Sequence, residues 1–182
     1  MARNTWSRSL HDVGLAAWFG GTLANAVALN PAAGAASDNS SVGAVTNAGW
    51  DRWTPVNAAA IGMHLLGSVG QLSANRGRIG AQPGVASMAA LKTGLTVAAL
   101  GVTAYSRMVG QTVSRHEDPP VDSGTTPAAA TPQDVRTAQS RLRLLQWAVP
   151  AVTGALVVVS AFAGEQQRSS EVVSGLARRL HR

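Results

Sequence analysis

Long apolar runs alternate with short polar segments along this chain. Four runs carry at most one charge each, and they cover residues 13–29, 56–72, 85–105 and 144–163. Their lengths approach the roughly 20 apolar residues with which a helix crosses a hydrocarbon core. They also lack the polar stripe, recurring every 3.6 residues, that marks a helix on the surface of a soluble bundle. The pattern predicts an all-α fold, an integral membrane four-helix bundle rather than a soluble one.

Proline and small residues predict where the first two helices end and begin. The chain of 182 residues is predicted to form one domain, 1–182. Pro31 should end the first helix at Asn30, because a proline ring disfavours a helical residue before it. Pro55 suits the first turn of the second helix. The intervening small and polar residues predict a flexible loop.

The last two polar segments differ in composition. Residues 106–136 contain four prolines and predict an extended external loop. Residues 164–182 form a basic tail, predicted to be cytoplasmic, with apolar positions on one face of a short amphipathic C-terminal helix. Such a helix is expected on the anionic inner leaflet. The candidate lipid contacts are Arg178, Arg179 and Arg182.

The net charge of +6 combines 15 basic with 9 acidic residues. The arginines are spread over separate segments without interleaved aromatic residues, so the chain is not predicted to bind nucleic acid. If both termini are cytoplasmic, nine basic residues lie inside and six outside. The positive-inside rule therefore favours a multi-pass protein of the inner (plasma) membrane with both ends in the cytoplasm.

His64 lies at the middle of the second run and is a candidate intramembrane polar residue. We expect it level with Gly21 and Thr22, hydrogen-bonded to Thr22 or Thr96. The alternatives are a haem or metal ligand and a proton relay. A bis-histidine site needs a second histidine at the same depth, and the other three lie outside the runs. No cofactor and no metal are predicted.

Three charged or titratable residues are expected at the membrane edge. His11 and Asp12 are adjacent, so on a helix their side chains should point about 100° apart and not pair. Lys92, near the start of the third run, is expected to extend its ammonium group to the inner interface.

Small residues recur four positions apart in three of the runs. Such pairs let helices approach closely in a membrane, within one chain or against a partner. The pairs are Gly20 with Ala24, Ala58 with Gly62, and Gly94 with Ala98.

The sequence offers no residues for catalysis. The absence of cysteine excludes disulfides, cysteine-ligated zinc and iron–sulfur clusters. No P-loop, nucleophile elbow or zinc-protease motif is present, and the runs hold no carboxylate pair. The chain is therefore predicted not to be an enzyme.

The N-terminal stretch SLHDVGLAAWFGGTLANAVALNPAA and the four-span layout carry a resemblance. The chain resembles the LucB-like four-span accessory subunits of actinobacterial mammalian-cell-entry (Mce) lipid transporters. The resemblance implies a non-catalytic subunit bound to the permease of an ABC-type lipid importer in the inner membrane. The resemblance assigns no functional residue of that family to a position in this chain.

Three functions are therefore open. The first is an accessory or stabilising subunit of a multi-subunit inner-membrane complex, with an Mce-type importer of lipids such as fatty acids as the specific case. Its partners would be membrane lipids and other integral membrane subunits. The second is an accessory subunit of a respiratory or redox complex that uses His64. The third is a small stand-alone transporter.

Overall fold

Four long helices and one short hairpin form the part of the protein that the computed structural model describes, residues 4–81, 83–116 and 119–165. Helix α1 spans Thr5–Ala33, α2 spans Asn39–Ala81, α3 spans Pro83–Ser114 and α4 spans Gln133–Glu165. Strands β1 (Val121–Ser123) and β2 (Thr126–Pro127) pair in an antiparallel hairpin. Each predicted apolar run lies within its own helix, so the predicted all-α class is confirmed.

Three helices in the described residues are long and apolar enough to cross a membrane: Thr5–Ala33, Gly84–Ser114 and Gln133–Gly164. Helix α2 is longer than any of them but falls outside this set. The most apolar part of this helix contains three polar residues, Asn57, His64 and Gln71, and they lower its mean hydropathy. The assignment of α2 as a fourth span stays a prediction.

The predicted end of the first helix at Asn30 is wrong. The helix widens into a π-helical turn over Asn25–Leu29 and then continues to Ala33. Pro31 has no N–H to donate, and its ring would meet the carbonyl four residues earlier in a regular α-helix. In the π turn the N–H of Asn30 bonds to the carbonyl of Asn25, five residues back, and the wider turn accommodates the proline.

The predicted flexible loop between the first two helices is also wrong. Helix α2 begins at Asn39, so Pro55 lies inside it rather than in its first turn. The Asp38 carboxylate caps this helix by accepting hydrogen bonds from the backbone N–H groups of Ser40 and Ser41, both at 3.0 Å. Contacts with the rest of the protein then stabilise the start of α2 as a helix, although its small and polar residues predict a loop.

The hairpin end of the molecule supplies that packing. Val42 of α2 is buried in a cluster with Val113 of α3, Val121 of β1 and Val135 of α4. The segment that connects α3 to α4 is therefore shorter than the predicted loop 106–136, because α3 continues to Ser114 and α4 begins at Gln133. The amphipathic tail helix and its candidate contacts Arg178, Arg179 and Arg182 lie outside the described residues.

Helices α1 and α2 pack together most closely where two glycines face the partner backbone. A Cβ on Gly14 would lie 2.5 Å from the carbonyl oxygen of Ala60 and 2.5 Å from the nitrogen of His64. A Cβ on Gly67 would overlap the backbone nitrogen of His11. At Gly20, by contrast, an added Cβ meets nothing within 4 Å. Only hydrogen fits at the first two positions.

We expect Gly14→Ala and Gly67→Ala to destabilise the protein by about 1–3 kcal/mol each, because the added methyl group meets backbone that cannot move aside. Thermal unfolding in detergent, followed by circular dichroism, measures the effect. Gly20→Ala is the matched control on the same helix and should leave the Tm unchanged or slightly higher. Equal effects at all three positions would contradict this packing.

Asp38→Ala should lower the Tm at neutral pH by removing the cap of α2. Hydrogen bonds from the backbone N–H and hydroxyl of Ser41 hold the pKa of the Asp38 carboxyl below its usual value. The contribution is therefore present above the ordinary carboxyl pKa of about 3.9 and is lost as the pH falls through the lower value of the folded state.

The difference in Tm between wild type and Asp38→Ala should accordingly shrink as the pH falls below about 4. Asp51→Ala, at an exposed position inside the same helix, is the matched control. A difference in Tm that persists unchanged at low pH would contradict the capping role.

Candidate functional site

A layer of fully buried side chains surrounds His64 in the middle of the bundle. The side chain of His64 is 0% exposed, and its imidazole lies against two rings of α1. The ring centroids of His64 and His11 are 4.5 Å apart, and those of His64 and Trp18 are 6.0 Å apart. Trp18 itself packs with Ala60 of α2 and Ala99 of α3. The histidine thus sits where three helices meet.

Both ring nitrogens of His64 have partners. Nδ1 lies 3.5 Å from the carbonyl oxygen of His11, and Nε2 lies 3.3 Å from the hydroxyl oxygen of Thr96. Because a carbonyl only accepts, Nδ1–H donates to His11, and Nε2 accepts the Thr96 hydroxyl hydrogen. Of the two predicted partners, Thr96 is the one found. Thr22 instead donates to the carbonyl of Trp18 in its own helix, at 2.8 Å.

The prediction for His11 and Asp12 is wrong. The imidazole of His11 is 1% exposed, and its Nδ1 lies 2.7 Å from Oδ1 of Asp12, which is 64% exposed. Nδ1–H therefore donates to the carboxylate, and the buried Nε2 finds no partner in the described part of the chain. Although the two side chains leave the helix in different directions, the carboxylate reaches back to the edge of the buried ring.

A short motif that occurs once in each helix explains why the two histidines meet. His11 precedes Gly14 by three residues, and His64 precedes Gly67 by three. Each glycine faces the backbone nitrogen of the other helix's histidine. The antiparallel pair His-x-x-Gly on α1 and His-x-x-Gly on α2 therefore packs reciprocally. This repeated motif was the signal in the sequence that could have placed His64 beside His11 rather than beside Gly21 and Thr22.

The expectation that no second histidine lies at the depth of His64 is wrong, because the His11 ring lies beside it. The arrangement nevertheless favours a structural role for His64 over a metal or haem ligand. Both of its nitrogens are engaged, so neither is free to bind a metal without losing a hydrogen bond. Across residues 4–81, 83–116 and 119–165, no group of three or more histidine, aspartate or glutamate side chains is placed to hold a metal ion.

The six small residues predicted as packing or partner positions lie mostly on the outside. Gly20, Ala24, Ala58, Gly94 and Ala98 are exposed, and Gly62 is half-buried. A Cβ on any of the three glycines among them meets no atom within 4 Å. The glycines therefore do not serve packing within this chain, and the exposed small-residue faces are open to lipid or to another subunit.

Two partly open cavities flank the His64 layer, and the sequence did not predict them. The larger, about 750 Å³, is lined by all four helices and includes Arg8, Asp12 and the half-buried Lys92. The smaller, about 300 Å³, lies toward the hairpin and is also lined by all four helices. We call the smaller one the hairpin-side cavity. Leu100 of α3 lines both.

Thr96→Val should destabilise the protein by about 1–2 kcal/mol, because it leaves Nε2 of the buried His64 without its donor. Thr93→Val is the matched control one turn away, since the exposed Thr93 hydroxyl bonds only to the carbonyl of Ala89 in its own helix. Thermal unfolding of both variants measures the loss of stability, and the visible absorption spectrum tests whether the protein binds haem. A Soret band that disappears in His64→Ala would contradict the structural role.

Comparisons with known proteins add no assignment to this geometry. No protein-family model matches the chain, and neither a curated protein nor a solved structure matches it.

Proposed function

We propose that this chain is a non-catalytic accessory subunit that stabilises a multi-subunit complex in the inner membrane. The observation that carries the proposal is the exposure of small residues at helical spacing. Gly94 and Ala98 of α3 form one such pair, and Gly20 and Ala24 of α1 form another. In a membrane, small residues at this spacing let a neighbouring helix approach closely, and van der Waals packing then drives association.

The proposal includes α2 as a fourth span. Large apolar side chains on its outer surface support this, since Val56, Leu66 and Val69 are all at least half exposed. Such a surface is unfavourable in water and is expected to face lipid or another subunit. Helix α2 also packs along α1, which is itself long and apolar enough to cross a membrane.

The specific case is an Mce-type ABC importer of lipids, with its permease as the partner. Support comes from the resemblance of residues 9–33 to accessory subunits of that family. The proposed orientation places both termini in the cytoplasm, on the basis of nine basic residues inside against six outside. The basic segment 164–182 would then lie next to the anionic inner leaflet.

Affinity purification of the tagged protein from its native membrane in mild detergent, followed by mass spectrometry, tests the proposal. We expect stoichiometric recovery of a permease, an ATPase and Mce proteins. Recovery of the chain alone as a stable monomer would contradict an accessory role. Recovery with oxidase or dehydrogenase subunits would contradict the importer and favour the redox alternative.

The double variant Gly94→Ile/Ala98→Ile tests the exposed small-residue face of α3. It should reduce partner recovery at least about fivefold, because the added bulk separates the helices, a loss of about 1 kcal/mol or more. Leu91→Ile, at an exposed and already large position of the same helix, is the matched control and should leave recovery unchanged. Full recovery with the double variant would show that this face does not bind the partner.

A further inference from the structure

Two basic side chains of the larger cavity have no acidic partner in the described part of the chain. Arg8 of α1 and Lys92 of α3 both line this cavity. Among the described residues, the ion pairs have only histidines as their basic members. Lys92 is half-buried, and a charge partly removed from water is costly unless an opposite charge or polar groups compensate it. The two cations are therefore available to an anionic ligand.

The two basic groups approach the cavity from different helices. A Cβ added to Gly164 would lie 3.9 Å from a guanidinium nitrogen of Arg8, so this side chain reaches the last turn of α4. Lys92 lies seven residues inside the apolar run 85–105, about 10 Å along the helix axis. Its ammonium group, extended toward the interface as predicted, would reach the level of lipid phosphate groups. An anion between the two groups would relieve the repulsion between Arg8 and Lys92.

Asp12 also lines the larger cavity, but it does not cancel both positive charges. Its carboxylate accepts a hydrogen bond from Nδ1–H of His11 at 2.7 Å and forms no ion pair with Arg8 or Lys92. Within the described residues, these two basic side chains and Asp12 are the only charged groups of the lining, which leaves one net positive charge. That charge matches a ligand with a single negative charge.

The walls of the larger cavity on α2 and α3 are mainly apolar, and they open to the surface. Val69 of α2 and Val97 of α3 both line the cavity and are both more than half exposed. Helix α3 is long and apolar enough to cross a membrane, so this opening is expected to face lipid. Further apolar lining residues of the two helices are Leu65, Leu72, Val85 and Met88.

The volume and the walls favour a lipid over the other possible occupants. About 750 Å³ lies within the range of small-molecule sites. A helix about 10 Å across would fill that volume with less than two turns, which is too little for a docked partner helix. A small soluble anion would have to leave water to reach Lys92, whereas a lipid carries its charge on chains that match the apolar walls.

We propose that the larger cavity binds one anionic phospholipid, with its phosphate between Arg8 and Lys92 and an acyl chain along α2 and α3. Phosphate oxygens accept hydrogen bonds, and guanidinium and ammonium groups donate them, so the pairing is charge-assisted at both basic residues. The inference rests on the proposed membrane position of the four helices but on no partner subunit. A binding measurement on the isolated chain can therefore fail while the accessory role holds, and the reverse.

Native mass spectrometry of the full chain in detergent tests the proposal. Phosphatidylglycerol and phosphatidylcholine with identical acyl chains are titrated separately. We expect one phosphatidylglycerol per chain, bound at least about tenfold more tightly than phosphatidylcholine, because only the former has a net negative charge. Glycerol 1-phosphate, added in excess, should not displace it, because this anion lacks the acyl chains.

Lys92→Gln and Arg8→Gln should each weaken phosphatidylglycerol binding about tenfold, since each removes one charge-assisted hydrogen bond. Lys92→Arg keeps the charge and should keep the preference for phosphatidylglycerol. Arg76→Gln is the matched control, because it removes an exposed positive charge of α2 that does not line the larger cavity. Melting curves establish that each variant is folded.

Asp12→Asn gives a test of opposite sign. The amide oxygen can still accept the hydrogen bond from His11, but the negative charge next to the proposed phosphate is lost. Phosphatidylglycerol should therefore bind about twofold or more tightly, because a repulsion has been removed. This variant and Lys92→Arg keep the proposal testable if Lys92→Gln does not fold.

Four outcomes would overturn the proposal. Equal binding of the two phospholipids would show that the acyl chains alone are recognised. Unchanged binding in folded Lys92→Gln, or weaker binding in Asp12→Asn, would place the phosphate elsewhere. Displacement by glycerol 1-phosphate would identify a site for soluble phosphates. The absence of saturable binding by either phospholipid would leave the cavity to a partner protein or to unselective contact with the bilayer.

Discussion

The close approach of α1 and α2 at two glycines is the constraint on which the rest of the structure depends. Gly14 and Gly67 let each backbone touch the partner's histidine, so the register between the two helices is fixed to one residue. A shift by one turn would place a Cβ against a carbonyl on both sides. Once that register is fixed, His64 lies between Trp18 and Thr96, and Asn25 and Trp53 line the same cavity.

Buried polar groups on α1 connect this register to the remaining elements. Asn30 is nearly inaccessible, and its amide donates to Oε1 of Gln146 in α4 at 2.9 Å. Its amide oxygen accepts from Trp50 of α2, and its carbonyl accepts from the N–H of Gly124 in the hairpin. Each of these bonds is modest in energy, but a buried amide left unpaired is costly. One residue, through its side chain and its backbone carbonyl, therefore links two helices and the hairpin to α1.

The apolar runs were sufficient to predict four helices, because a long uncharged stretch has few alternatives to a helix. They could not predict that α1 continues past Pro31 through a π turn, because the buried contact of Asn30 with Gln146 of α4 joins residues far apart in the sequence. Nor could they predict helix from Asn39 onward, because the small polar residues there become helical only through the Asp38 cap and contact with the hairpin. The Asp38 cap is a local signal, whereas the contact with the hairpin depends on the fold and is not contained in local composition.

The candidate site shows the same division between local pattern and tertiary contact. His64 was identifiable from its depth in an apolar run, but its neighbours were not, because they depend on a register that only Gly14 and Gly67 define. The glycines chosen by their four-residue spacing, such as Gly20 and Gly94, contact nothing within the chain. Spacing alone does not distinguish a glycine that packs from one that faces outward. What distinguishes them is the large side chain or backbone group opposite.

The layer between the two cavities bears on the electrical behaviour of a membrane that holds this protein. Trp18, His64, Thr153 and Leu156 lie between the cavities on three helices, and each is 0% exposed. A file of water through the bundle would let protons move down the membrane potential, which drives each charge by about 2.3 kcal/mol per 100 mV. The layer of fully buried side chains interrupts that file. A membrane could thus hold many copies of this protein without losing its proton gradient through them.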